Sequence, residues 1–568
     1  MQGYLFFGLV ILLLLVVQIL YSKRKSFKKK HQSFQENWGK PIQKNRRLNL
    51  IALFYERTPP DFSAINQMDE ETRNDLDFSS LFDIVDHTTS KVGQQYLYAQ
   101  LLSPTESVPL IKERAALVEW VDQHPQKRLE LQMALSHLTS REIYYVPLLF
   151  ADTLPFDKKK YIASEILKWL AIFFTIGAFF DLRFILGVVL LFFLNMVFHY
   201  LNKKNIQEHL QAFVQVSKII NTARKVKSIQ TPLIDHLGLT KHLQAVKKLY
   251  QNLGLLNTEA LGGGYSESTV LIWIFIEYLK IMFLIEVNSY YKSIQELTNK
   301  KENLYEIYCA LGRCDATIAM ASFKASMPYT CTPTMITQAE KEAIEITETY
   351  HPLIPDCVAN SIHIPKSKGT LISGSNMSGK TSFLRTVGIN ILFAQTLSIC
   401  LAKNCTIPPL RLFSSIRIAD DVEEGKSYYI SEVERIYAFL EAAKKYSGNF
   451  FLLDEIFKGT NTVERVAAAS AVLSHLNNGS SYVMVATHDI ELIELLQQDF
   501  IPYFFSEEIQ NSKSIYFDHK IKKGVLQEGN AIKLLDFFQF PKTVVEEAFK
   551  QKRKILEGKV PLNDLGTN

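Results

Sequence analysis

The chain has 568 residues, of which 47% are hydrophobic and 21% charged, and a formal net charge of +5. That length calls for two or more domains with full cores, and the composition excludes both a disordered chain and one that is pore-like throughout. The small net charge does not by itself point to nucleic acid, and six cysteines without CxxC or Cys/His spacing read as free thiols in a reducing compartment rather than a zinc site.

The first predicted element is Tyr4 to Tyr21, "YLFFGLVILLLLVVQILY", which contains no charge. Eighteen helical residues span about 27 Å, close to the hydrocarbon thickness of a bilayer. No Lys or Arg precedes the run and no small-residue cleavage site follows, so it reads as an uncleaved anchor rather than a signal peptide. "KRKSFKKK" (Lys23 to Lys30) comes next and should stay cytoplasmic, with the amino terminus outside. Residues 1–30 are thus expected to be an anchor with a basic block. Residues 31–78, polar and carrying Pro41, Pro59 and Pro60, read as a linker or small adaptor. Residues 79–160 have helical apolar spacing, as in "LVEWVDQHPQKRLELQMALSHL", and open a helical core.

Residues 161–202 are apolar and broken by Asp181-Leu182-Arg183 into two near-spanning segments, Ile162 to Phe180 and Phe184 to Leu201. Lys158, Lys159 and Lys160 before them, with Lys203 and Lys204 after, predict a membrane hairpin that enters and leaves on the cytoplasmic side. Glu165 and Lys168 favour the competing reading, a buried pair of soluble helices. The hairpin reading gives three spans in a multi-pass protein of the inner (cytoplasmic) membrane, in contact with lipid. Thr269 to Glu286 is expected to be a core helix instead, because Glu277, Lys280 and Glu286 would be costly inside a bilayer. The helical core resumes over 203–330, and "MPYTCTP" (Met327 to Pro333) ends it.

From residue 331 to 550 the pattern is that of an α/β domain, followed by a tail over 551–568. Short β-branched or aromatic runs, "GTLISG", "NFFLLD" and "SYVMVAT", alternate with amphipathic helices such as "TVERVAAASAVLSHL". "SIYFDHKIKKGVL" reads as a closing antiparallel hairpin, and "PKTVVEEAFKQKRKIL" as a helix. The fold class expected is multidomain: transmembrane helices, an all-α core/lever domain, and an α/β domain.

Gly374-Ser375-Asn376-Met377-Ser378-Gly379-Lys380-Thr381 fits GxxxxGK[ST] between a predicted strand and a predicted helix. Its backbone N–H groups, together with the helix amino terminus that Ser382 continues, suit the phosphates of ATP. Lys380 would neutralise the β- and γ-phosphates, and Thr381 would hold Mg²⁺. "NFFLLDE" ends a buried strand in Asp454, a second Mg²⁺ ligand, and Glu455, which would orient the attacking water. "VMVATHD" carries His488 to where a γ-phosphate sensor is needed.

These motifs resemble those of the MutS family of ATP-driven mismatch-repair sensors. "SGSNMSGKTSFLRTVG" is similar to its phosphate loop, asparagine-methionine pair included, and "DEIFKGTNTVER" (Asp454 to Arg465) to its DE-x-x-x-GT-x-T signature. "IADDVEEGKSYYISEVE" (Ile418 to Glu434) resembles the segment whose serine, by position Ser427, reaches into the partner subunit's site. Tyr428 and Tyr429 stand where the family usually has threonine and phenylalanine. "SLFDIVDHTTSKVGQQYLYAQLLSP", "IKERAALVEWV" and "YHPLI" resemble the entries to the helical core and the ATPase domain.

The resemblance implies an ATPase that works as a homodimer and switches a DNA clamp on mismatched or branched duplex. Phe34-Gln35-Glu36 matches the letters of the family's mismatch reader, but about fifty residues before the core are too few for that domain. Lys44, Arg46 and Arg47 are candidates for phosphate contacts. A membrane-associated switch that uses the same engine without DNA is the rival reading. An ABC transporter fits less well, because three scattered spans make no permeation path.

Overall fold

The computed structural model describes residues 18, 21–22, 24–41, 44, 46–58, 68–151, 156–235, 238–254, 277–336, 343–375, 378–417, 428–477, 481–510, 514–526, 532, 535 and 538–556. The expected anchor, Tyr4 to Tyr21, lies almost wholly outside them. Two compact units partition the chain. The first comprises Met1–Asp61, Ile84–Gln100 and Ala116–Ser326, and the second Phe62–Asp83, Leu101–Ala115 and Met327–Asn568.

The first unit is helical. Its long elements are α1 (Lys158–Gly177), α2 (Phe184–Ser228) and α3 (Ile285–Ser326). Asp315, buried on α3, accepts the main-chain N–H groups of Thr89 (2.9 Å) and Ser90 (2.7 Å). Ser90 Oγ in turn accepts the Gly93 N–H (2.9 Å), which satisfies a free donor at the start of the helix Lys91–Leu101. Lys44 and Arg46, candidates for phosphate contacts, are both engaged by buried Asp86 at 2.9 Å. Burial alone would raise the Asp86 carboxyl, but Lys44, the Thr88 hydroxyl and Arg46 bring it down to about 2.

The expected three-span architecture is overturned. Among the described residues a single helical window, Phe184–Asn202, is long and apolar enough to cross a membrane. The first arm of the supposed hairpin is not such a window: its helix ends at Gly177, and its charges are paired. Glu165 of α1 pairs with Lys168 (2.5 Å) and with Lys292 of α3 (3.1 Å), and Ser164 Oγ donates to Asn288 Oδ1 (2.9 Å). The second arm does not stop at Leu201 but opens a 45-residue helix that runs on to Ser228. Its Asn195 Nδ2 donates to the Met282 carbonyl at 2.6 Å, and the outer apolar face, including Phe179 and Phe180 at the turn, is exposed. The described residues are therefore mostly helical with mixed sheets, and among them several transmembrane helices are not supported. Of Thr269 to Glu286, residues 277–286 are described, and there Lys280 pairs with Glu277 and Glu286, each at 3.4 Å.

The second unit holds the sheets. A four-stranded one has the order β1 (Thr334–Met335), β5 (Asn404–Ile407), β2 (Ala343–Thr349), β3 (Asn360–Pro365). The larger sheet runs β12 (Lys522–Lys523), β9 (Phe500–Phe504), β4 (Gly369–Ser373), β8 (Tyr482–Ala486), β7 (Asn449–Asp454), β6 (Arg411–Ser415), all parallel save the β12 edge. β4 and β8 are buried at every position, the mark of a parallel sheet covered on both faces. The helices α4 (Lys380–Thr396), α5 (Tyr428–Lys445) and α6 (Thr462–Asn477) supply cover, with α5 and α6 contributing Phe439, Ala469 and Leu473 to a core shared with Phe451, Leu453 and Val485. The expected hairpin at Ser514 to Leu526 is rearranged: β11 (Ser514–Phe517) pairs with β10 (Glu507–Gln510), and β12 pairs with β9. The predicted final helix is α7 (Lys542–Leu556).

One buried polar connection organises this unit beyond its sheet. Asp75, at the end of the short helix Glu70–Asp75, accepts from Ser414 Oγ (2.6 Å) and from the main-chain N–H groups of Ile416 (2.9 Å) and Arg417 (2.6 Å). Arg435 on α5 spans Asp69 with two hydrogen bonds, at 3.1 and 3.0 Å.

Candidate nucleotide site

The order β4-β8-β7 brings three loops together at the carboxyl edge of the sheet, where open α/β sheets hold their ligands. The phosphate loop follows β4, Asp454 and Glu455 close β7, and His488 follows β8. The registers Leu371↔Val485 and Asp454↔Ala486 fix these strand ends relative to one another.

Within the loop, Gly374 has φ of +146°. A Cβ there would sit 2.7 Å from the Phe505 carbonyl oxygen and 2.9 Å from Ser378 Oγ, so only glycine fits. Ser378 is buried, and its hydroxyl has no hydrogen-bond partner among the described residues. Lys380 opens α4 and is also buried. Its ammonium donates to the carbonyls of Gly374 (2.8 Å) and Ser375 (2.9 Å), which holds it over the loop. Ser382, one turn into α4, is exposed. Asn376, Met377 and Ser427 lie outside the described residues.

The two residues assigned to the metal meet directly: Thr381 Oγ1 donates to Asp454 Oδ2 at 2.5 Å. Burial raises the Asp454 carboxyl, with the Thr381 hydroxyl and Lys458 pulling the other way. The next residue, Glu455, adopts φ of +55°, and Phe457 follows at +60°. Two non-glycine residues in the left-handed region within three positions are a costly turn, of the kind found at functional sites. Glu455 is held there by its own N–H, which donates to the Ala486 carbonyl (2.9 Å).

His488 Nδ1 lies 2.9 Å from Glu455 Oε1, and Lys458 Nζ lies 3.0 Å from Oε2. The hydrogen bond from His488, with Lys458 beside it and against the effect of burial, lowers the Glu455 carboxyl to about 2. The same bond raises the His488 imidazole above its ordinary value. Glu455 is therefore a carboxylate at any physiological pH, and both of its oxygens are oriented. Arg465 of α6 anchors the neighbouring Asp489 through two bonds, at 2.7 and 3.1 Å.

Residues 370–556 match the family model described as MutS domain V.

The match supports membership of the MutS family, whose domain V is its ATPase domain. It covers the phosphate loop, Asp454, Glu455 and His488 together.

Sequence reasoning missed five contributors. Lys458 lies inside the quoted signature, yet nothing in its spacing marks it as the second cation on Glu455. Arg465 and Asp489 pair only because α6 begins beside the β8 loop. Glu432, buried on α5, accepts the Phe457 N–H, a contact between residues that no local pattern links. His519 lines a cavity of about 450 Å³ beside Gly379 and Ser382, along with Val358, Phe383 and Phe505, and its Nδ1 lies 3.1 Å from the Ser378 carbonyl.

Proposed function

We propose that this chain binds and hydrolyses ATP as a homodimer and couples that cycle to DNA carrying a structural distortion. The observation that carries the ATPase reading is the convergence of Thr381, Asp454, Glu455 and His488 around a glycine loop that cradles the Lys380 ammonium.

The residues present suit the nucleotide and its metal. A Cβ at Gly374 would fill the cradle, the buried Ser378 hydroxyl is a ready donor, and Thr381 with Asp454 is an all-oxygen pair of the kind Mg²⁺ takes. Bound there, Mg²⁺ would neutralise charge on the phosphates. Lys380 adds its positive charge to the loop N–H groups and the α4 amino terminus. Glu455, ionised and oriented by His488 and Lys458, accepts a hydrogen bond from water and aligns it. His488, richer in proton than a free imidazole, offers a donor at the same place. The cavity beside Gly379, with Phe505 and His519 on its wall, would receive the base and sugar. ATP puts this domain on the cytoplasmic side of the cell.

Family members generally act as dimers and bind DNA. By resemblance, Ser427 of one subunit acts on the nucleotide of the other. Mixing Lys380→Ala protein with Ser427→Ala protein should therefore restore activity that neither has alone; no recovery in proven heterodimers counts against it. Because Lys44 and Arg46 are committed to Asp86, DNA contact is expected from other basic surface and directed at the backbone more than at bases. Binding should weaken steeply with salt and favour branched over matched duplex by less than about 10³-fold. Absence of binding at low salt would leave an ATP-driven switch that acts on something other than DNA.

A further inference from the structure

α5 stands apart from the other helices of the nucleotide unit because its side chains reach the main chain of the catalytic turn. Glu432 is 1% exposed, and its Oε1 accepts the Phe457 N–H. Phe457 is the second left-handed residue of the turn that begins at Glu455. Three residues earlier on the same helix, the Tyr429 ring lies 6.2 Å from the ring of Phe457. A Cβ at Gly459 would come within 3.0 Å of Tyr429 Cβ, so the turn packs directly on the helix. One turn further along, Arg435 fastens α5 to Asp69, to the Thr72 hydroxyl (3.0 Å) and to the Ser414 carbonyl (2.8 Å). Residues 432 and 435 share a helical face. One end of that face is tied to the catalytic turn and the other to the helix Glu70–Asp75.

A strained turn keeps its shape only where its surroundings over-determine it. On one side the Glu455 N–H is fixed to β8 through Ala486. On the other side the buried anchor is Glu432. Its second oxygen, Oε2, is buried with no hydrogen-bond partner among the described residues. Burial raises this carboxyl, and the Phe457 and Lys458 N–H groups oppose the rise. A buried carboxylate used on one side only is an expensive structural brace, because two packed apolar side chains would hold α5 in place at lower cost.

We propose that Glu432 is a positioning residue for ATP hydrolysis: it clamps the main chain of the 455–457 turn to α5 and thereby sets the direction of the Glu455 carboxylate. This rests on the ATPase reading of the site. Glu432 touches none of the phosphate-loop residues in the contacts described, so its effect should fall on turnover and not on nucleotide affinity.

Three variants of the full chain test this. Glu432→Gln keeps an acceptor oxygen at Oε1 and places its amide where Oε2 has no partner. Glu432→Asp keeps the charge but withdraws the acceptor by one methylene, and Glu432→Ala removes it. In nucleotide-free protein, hydrogen–deuterium exchange of the 454–459 amides should accelerate about 10-fold in the Asp and Ala variants and be unchanged in Gln. In turnover, kcat should fall about 100-fold in Asp and Ala, with KM and fluorescent-nucleotide affinity within about threefold of wild type, and Gln should keep most of kcat. If the Ala variant fails to fold, the Asp and Gln pair decides alone. Unchanged exchange and kcat in Asp would overturn the proposal, as would an active Asp variant beside an inactive Gln one. A wild-type chain that hydrolyses no ATP would defeat the ATPase reading itself, while the exchange data would still decide whether Glu432 holds the turn.

Discussion

Replacing Glu455 by glutamine should separate nucleotide binding from hydrolysis. The carboxylate lies between His488 at 2.9 Å and Lys458 at 3.0 Å, and these contacts take it from an ordinary 4.5 down to about 2. That depression corresponds to roughly 3 kcal/mol in favour of the ionised form. Water around the half-exposed His488 and Lys458 screens the pair and leaves about 1–2 kcal/mol of net stabilisation. An amide can accept from only one of the two cations and turns an NH₂ toward the other. Stability should therefore fall by about 1–2 kcal/mol, visible as a melting midpoint a few degrees lower. Turnover should fall by about 10²–10⁴-fold, because the oriented base is gone. Nucleotide affinity should hold within about threefold, since Lys380, Thr381 and Asp454 keep their own contacts. The imidazole reports the same event independently. His488 should titrate above 6.5 in the parent protein and return toward 6.5 in the variant, as read by histidine proton NMR. The pH dependence has two limbs. Glu455, whose folded value is depressed, stabilises fully above about pH 4.5 and loses this as the pH falls toward 2. His488, whose folded value is raised, stabilises fully below pH 6.5 and loses this as the pH rises through its raised value. Hydrolysis within threefold of the parent, or an unmoved His488 titration, would refute the assignment of Glu455.

Lys380→Ala removes the buried ammonium above the loop, and nucleotide affinity measured by calorimetry should drop about 100-fold or more. Asp75→Ala leaves the Ser414 hydroxyl and the N–H groups of Ile416 and Arg417 without their buried acceptor. At about 1–3 kcal/mol for each stranded donor, partly relieved by relaxation, the unit should lose roughly 3–6 kcal/mol in a denaturant titration. A loss under about 1 kcal/mol would show that Asp75 is not the brace its contacts suggest.

The motifs of the candidate nucleotide site were readable in the sequence because each of them is local. A glycine loop between a strand and a helix, and acidic residues at a strand end, are patterns that backbone geometry imposes on neighbouring residues, as at Gly374 to Thr381 and at Asp454 and Glu455. The long apolar runs were equally visible, but hydropathy alone could not say what they pack against. Glu165 is an isolated charge in the sequence and becomes the partner of Lys168 and Lys292 only once α1 lies on α3. Likewise, Lys44 and Arg46 read as a free basic cluster until folding buries Asp86 between them. Glu432 and Phe457 are 25 residues apart and Arg465 and Asp489 are 24 apart, and no periodicity connects either pair. Side-chain identity fixes what a residue can do, whereas burial and long-range pairing fix what it does, because the energy of a charge depends on the dielectric and the partners that only the folded chain supplies.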